Sequence, residues 1–195
     1  MKNCAAILIV CFLVSCKKNP SIPTTPKPIV EMEYTNLNDR EVKYQQNAIA
    51  LDVNKDNKTD LLFGTMLVGD FIYKIDKLRF LITSSIYTAL PINSNEQIPV
   101  INANSAIPLN NFGGTNWYSA SEIVLMERQE TLAGNISWNG NWLGAEKKYL
   151  PFQFYQNNKR YNGWIELTAN SNLNKLVLHR IAISKQAEVE IIAGK

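Results

Sequence analysis

From about residue 31 onward the chain is a succession of short apolar runs, rich in β-branched and aromatic residues and broken by clusters of Asn, Gly and Pro. Runs of this length bounded by turn residues predict strands. They are "NAIALDV", "TDLLFGTMLV", "KLRFLITSS", "SEIVLME", "YLPFQFYQ", "GWIELTAN" and "KLVLHRIAIS", with "EVEIIAG" closing the chain. In "YNGWIELTA" the alternation is strict. Ile165, Leu167 and Ala169 fall on one face and Trp164, Glu166 and Thr168 on the other, which is the period of a strand. "FIYKIDKLRFL" is long enough for a helix, but its aromatic and β-branched content favours a strand. No long segment of helical period occurs, and no repeat of about 20–50 residues is visible. Pro91, Pro99, Pro108 and Pro151 are expected in or beside loops, because proline cannot donate to a ladder. The pattern predicts an all-β fold: a single antiparallel β-sandwich, jelly-roll-like, over residues 31–195.

The first thirty residues read differently. Lys2 precedes the apolar stretch "CAAILIVCFLV", which is too short to cross a bilayer, since a span needs about 20 residues. The stretch ends in "LVSC", Leu13 to Cys16. This resembles the lipobox of bacterial lipoproteins: an aliphatic residue, a small residue at the cleavage position, then the cysteine whose sulfur receives the diacylglyceryl group. The resemblance implies a signal peptide over 1–15 and lipidation at Cys16. Pro20, Pro23, Pro26 and Pro28 follow, so 16–30 reads as the lipidated cysteine and a proline-rich, extended tether. Lys17 stands where an aspartate would favour inner-membrane retention, so an outer-membrane location is expected. No acidic export-like cluster follows, which favours the periplasmic face over the cell surface.

Composition narrows the chemistry. Cys4, Cys11 and Cys16 are the only cysteines, so the domain has no disulfide, thiolate metal site or cysteine nucleophile. A domain without disulfides depends on its core, and 46% hydrophobic residues suffice for one. Without Lys2, 19 basic side chains stand against 17 acidic ones, with no basic run longer than a pair such as Lys17-Lys18. Nucleic acid as a partner therefore has no electrostatic footprint.

One loop stands out. "DVNKDNKTD", residues 52–60, holds three aspartates and two asparagines in nine positions. Asp52, Asn54, Asp56, Lys58 and Asp60 recur with a period of two, and alternate side chains of a tight loop turn inward. Lys58 would contribute its backbone carbonyl. Hard oxygens at this spacing suit a single Ca²⁺ ion. A helical EF-hand is excluded, because Phe63 stands at the twelfth position, where that motif needs a bidentate Glu. Asn57 occupies the usual glycine position and tolerates the left-handed backbone. The competing reading is a polar hairpin stabilised by Asx-turns.

"ALDVNKDNKTDLLF" resembles the "DxDGDGxxDFxF" strand–loop–strand that opens a family of secreted bacterial proteins of unknown role. The family closes with "YLGFxF…YGWIxLxV…L…yAY…ILAG". Here the counterparts lie within "KYLPFQFYQNNKRYNGWIELTANSNLNKLVLHRIAISKQAEVEIIAG", so the resemblance spans 48–194 with a divergent middle. It departs at Asn57, Pro151 and "HRIAI". The family implies the β-domain and supplies no reaction.

Catalytic patterns are scarce. His179 is the only histidine; in "LVLHRIAI" it is expected to share a face with Val177, Ile181 and Ile183. No nucleophile elbow accompanies it, and one histidine excludes a His-rich zinc site. Glu122, Glu127, Glu130, Glu146 and Glu166 read as solvent-face residues, with a carboxylate pair for glycoside hydrolysis as the competing reading. Trp138 and Trp142 lie in "NISWNGNWLG", and Trp117 follows "NNFGG". These rings cap the core or, as loop residues among amides, stack on sugars. The expected function is that of a lipid-anchored, calcium-binding envelope lipoprotein with a structural or adhesive, non-enzymatic role. Its partners would be the membrane, through the anchor, and a glycan or another envelope protein. A carbohydrate-binding module is the alternative, and a hydrolase the third reading.

Overall fold

The structure is a computed structural model describing residues 30–195. The expected leader, Cys16 and all but the last residue of the tether lie outside the described residues. In chain order the strands are β1 (Met32–Lys43), β2 (Ile49–Leu51), β3 (Leu61–Asp70), β4 (Ile75–Ser84) and β5 (Thr88–Asn93). Then come β6 (Ala106–Ile107), β7 (Thr115–Ser119), β8 (Glu122–Thr131) and β9 (Ile136–Asn139). The last are β10 (Lys148–Gln156), β11 (Lys159–Asn170), β12 (Lys175–Ser184) and β13 (Ile191–Ile192). Among the described residues there is no helix.

Two antiparallel sheets face each other as a sandwich. The larger is ordered β1-β12-β11-β10-β5-β7 and the smaller β2-β3-β4-β8-β9. Phe63, Phe80 and Ile82 from the smaller sheet meet Leu90, Phe152, Ile165, Leu167 and Leu178 from the larger, all fully buried. Burial of each such side chain contributes about 1.5–3 kcal/mol. Gly163 lies opposite Phe152 in the β10–β11 ladder, and the phenyl ring occupies the space a side chain would fill. A Cβ there would stand 2.3 Å from the ring.

A second, smaller core lies on the outer face of the larger sheet. Trp164, Tyr149 and Ala182 are covered there by a ribbon in which β13 pairs with β6, bringing in Ile107, Ile191 and Ala193. Asn162 clamps this cover, its amide donating to the carbonyls of Ile107 (3.2 Å) and Val189 (2.9 Å). Of "EVEIIAG", then, only Ile191–Ile192 forms a strand.

Two prolines depart from the expectation of loops: Pro91 lies within β5 and Pro151 within β10. The β5–β10 ladder holds just two residue pairs, Thr88 with Phe154 and Ala89 with Gln153. Continuing that register would set Pro91 against Pro151, and neither has an N–H to donate. The ladder ends there. Past the gap, β10 pairs with Ile101 instead, through two backbone bonds to Tyr149 of 3.2 and 3.0 Å.

Candidate functional site

The 52–60 loop joins β2 to β3, and its side-chain oxygens close it. Asp52 Oδ1 and Asn54 Oδ1 each accept from the amide of Asp56 at 3.1 Å, and Asp52 Oδ2 accepts from Asn57 N–H at 2.8 Å. Asp56 Oδ1 accepts from Lys58 N–H at 2.9 Å, while the Lys58 ammonium lies 4.0 Å from Asp56 Oδ2. Lys55 and Asn57 both take the left-handed backbone, φ 61° and 65°. The Lys55 ammonium binds Glu33 and so ties the loop to β1. Asp60 is buried, accepting from Val53 N–H (2.9 Å) and from the Thr88 hydroxyl (3.1 Å) at the start of β5. Burial holds its carboxyl above the usual carboxylate range, and the charge of Asp56 adds to the shift. Among the described residues, no three His, Cys, Asp or Glu side chains converge closely enough to hold a metal ion. The donors are hard oxygens of the type Ca²⁺ prefers, and in this structure backbone N–H groups and Thr88 already bond to them.

A second cluster, invisible in the sequence, forms around a β-bulge. Leu167 pairs with Leu178 and Glu166 with Arg180, so His179 is an extra residue in β12. On the other side Asn36 pairs with Arg180 and Arg40 with Leu178, with Asn38 and Asp39 left-handed at φ 55° and 53°. A bulge re-aims side chains by breaking the alternation. His179 consequently does not share a face with Ile181 and Ile183, which pack with the main core. It turns outward instead. Its Nδ1 lies 2.6 Å from Asp39 Oδ1 and its Nε2 2.8 Å from Thr168 Oγ1. Beside it Arg180 donates to Glu166 Oε2 (2.6 Å) and lies 5.0 Å from the Trp164 ring centroid. The Tyr149 hydroxyl donates to Glu166 Oε1 at 3.1 Å. Burial, then the Glu166 charge, raises that phenol above its ordinary value. Tyr34, Asn36, Asp39, Lys147 and His179 line an open cleft of about 420 Å³ over this network.

Hydroxyl, imidazole and carboxylate in series have the order of a nucleophilic relay. Two features work against such chemistry. The Asp39 side chain is 74% exposed, and the Lys147 N–H points at the Thr168 hydroxyl itself (3.1 Å) rather than at a position beside it. Among the candidate carboxylates, Glu127 is bonded to Arg79 (2.7 Å), Glu130 to Arg128 (2.8 Å) and Glu166 to Arg180; Glu122 and Glu146 are exposed.

The tryptophans do not form one platform. Trp142 is fully buried, its Nε1 donating to the Ile98 carbonyl at 3.0 Å, so the expectation that it could stack on a sugar is corrected. The apolar ring fills the core while the carbonyl satisfies its single donor. Trp138, on edge strand β9, is partly buried against Phe80, and Trp117, on β7 at the edge of the other sheet, against Phe112. Comparison of the chain with protein-family models, curated proteins and solved structures gives no match.

Proposed function

We propose that the protein is a lipid-anchored lipoprotein of the bacterial outer membrane, on its periplasmic face, with a structural or adhesive and non-enzymatic role, and that its 52–60 loop takes one Ca²⁺ ion. The convergence of Asp52 Oδ1 and Asn54 Oδ1 on a single amide carries the calcium reading, because oxygens from the first and third positions already share the loop's interior. A cation there would also relieve the mutual repulsion of Asp56 and Asp60. The ion has to compete with the loop's own N–H groups, so binding is weak. Extracellular calcium modules bind at about 10⁻⁴–10⁻³ M. At about 1 mM Ca²⁺ such a site stabilises by about 0.4–1.4 kcal/mol, or roughly 1–6 °C in melting temperature. The expected result is a saturable upward shift with Ca²⁺, smaller with Mg²⁺, and lost in Asp56→Ala. No shift up to several millimolar leaves the loop a polar turn.

A second reading, glycan binding, draws support from the bulge cleft rather than from the tryptophans. Tyr34 offers a half-exposed ring beside Asn36, Asp39 and Lys147, and a cleft of about 420 Å³ lies within the range of small-ligand sites. A glycan array probed with the wild-type and Tyr34→Ala proteins separates the readings: a signal that disappears in the variant favours the module.

A further inference from the structure

The β3–β4 hairpin ends in the two most exposed large apolar side chains among the described residues, Phe71 and Ile72. Phe71, Ile72 and Tyr73 are 95%, 86% and 72% exposed, and Leu67, on the approach to the turn, is 53% exposed. Ile75 pairs with Thr131, so the β8–β9 turn lies alongside and adds Leu132, itself 82% exposed. The two turns enclose a shallow cleft of about 330 Å³ lined by Phe71, Lys74, Ile75, Thr131 and Leu132. Charge around the tip balances: Lys77 is bound to Asp70 at 2.9 Å and Arg128 to Glu130 at 2.8 Å, and Lys74 and Asp76 carry opposite signs.

Contiguous exposed apolar surface marks an interaction site. An apolar hairpin tip whose flanking charges balance suits a deformable apolar medium. Its mix of aromatic and aliphatic residues is that of segments lying at the membrane interface. We propose that Phe71, Ile72, Tyr73 and Leu132 insert into the interfacial layer of a phospholipid bilayer, as a second foothold beside the lipid on Cys16. The proposal rests on the lipoprotein reading for that membrane's proximity.

The reach of the chain permits it. The Lys55–Glu33 pair places the start of β1, where the tether enters, at the loop end of β3, and the tip lies at the other end. Ten residues of β3 span about 33 Å at roughly 3.3 Å each. Residues 17–29 number thirteen, and at roughly 3.1 Å per residue a proline-rich stretch can extend to about 40 Å. The tether can therefore let the tip return to the bilayer that holds the lipid.

The test uses the mature lipidated protein in phosphatidylcholine vesicles. Once Cys16 is lipidated and the leader removed, an Ile72→Cys variant carries a single free thiol for a polarity-sensitive fluorophore. Its emission should shift to the blue, and a water-soluble quencher should reach it several-fold less well with vesicles than without. High salt should leave both effects unchanged. The same label on Lys58→Cys, at the far end of β3, should remain fully quenchable. Adding Phe71→Ser and Tyr73→Ser to Ile72→Cys should abolish the shielding while leaving the melting temperature near that of wild type. Equal quenching at position 72 with and without vesicles overturns the proposal. So does shielding that grows with protein concentration in the absence of lipid, which would assign the tip to a second copy of the chain. Failure of the anchor reading shows separately, as label taken up at Cys16. The Ile72→Cys protein with Cys4, Cys11 and Cys16 all changed to Ser, added to vesicles, then still decides whether the tip inserts.

Discussion

On the inner face of β11, Ile165, Leu167 and Ala169 are at most 3% exposed and touch only the main core. On its outer face, Asn162, Trp164, Glu166 and Thr168 hold a clamped ribbon, a ring under a guanidinium, an ion pair and a histidine. The inner face draws its stability from apolar area alone, which is non-directional. The outer face depends on individual bonds, each of which can be lost by itself. Strict alternation thus divides one strand into a structural side and a side able to carry chemistry. The difference predicts that inner substitutions unfold the domain globally, whereas outer ones loosen single features.

The largest effect is expected from Leu167→Ala. Removing a fully buried leucine from the main core costs about 2–5 kcal/mol, a fall on the order of 10 °C in the melting temperature. Calorimetry should show one cooperative transition. A small loss confined to one sheet would contradict the inner-face account.

Asn162→Ala comes next. It deprives the Ile107 and Val189 carbonyls of their donor, a cost of about 1–3 kcal/mol. Among the described residues the Asn162 Oδ1 has no partner, which places the loss toward the low end. Amide exchange should accelerate in the Ile107–Ile191 ribbon and stay unchanged at Phe152 and Ile165. Uniform acceleration would mean that the two cores open together.

The smallest effect concerns Asp60, which joins the loop to β5. Because its folded pKa is raised, the folded state binds this proton more tightly than the unfolded chain does. The resulting stability is present at low pH and lost as pH rises through the folded pKa. Relative to Asp60→Asn, wild type should therefore gain stability as the pH falls from neutral toward about 4. Carboxylates held low by cations, such as Asp70 beside Lys77, act equally in both proteins and drop out of the difference. A difference in denaturant midpoint that stays flat across this window would remove Asp60's proton from the account.

These contrasts also explain what the sequence showed and what it hid. The central strands were legible because Ile165, Leu167 and Ala169, or Phe80 and Ile82, recur at the period of a half-buried strand. β1 was not legible: in "MEYTNLNDREVK" only Leu37 and Val42 are buried, and the left-handed Asn38 and Asp39 interrupt the period. β5 was hidden by Pro91, and β9 by the Asn- and Gly-rich run read as a loop. The 52–60 loop was visible because its chemistry is mostly local. The oxygens of Asp52, Asn54 and Asp56 bond within five residues, and only Asp60 reaches further, to Thr88. The His179 cluster was not, because Asp39, Thr168 and His179 meet only once β1, β11 and β12 have paired, and the bulge that turns the imidazole leaves no mark in residue type.

The pairing of β1 with β12 joins residues 32–43 to residues 175–184. The first of the described strands to leave a ribosome thus has no sheet partner until β12 has followed. Closing so long a loop before any contact rewards it is slow, in the range of milliseconds to seconds for folds dominated by distant pairings. Delay of this kind fits the export proposed above, which would need the chain extended. The polar make-up of β1 suits it too, since a waiting strand with few apolar groups gives a neighbouring chain little to seize.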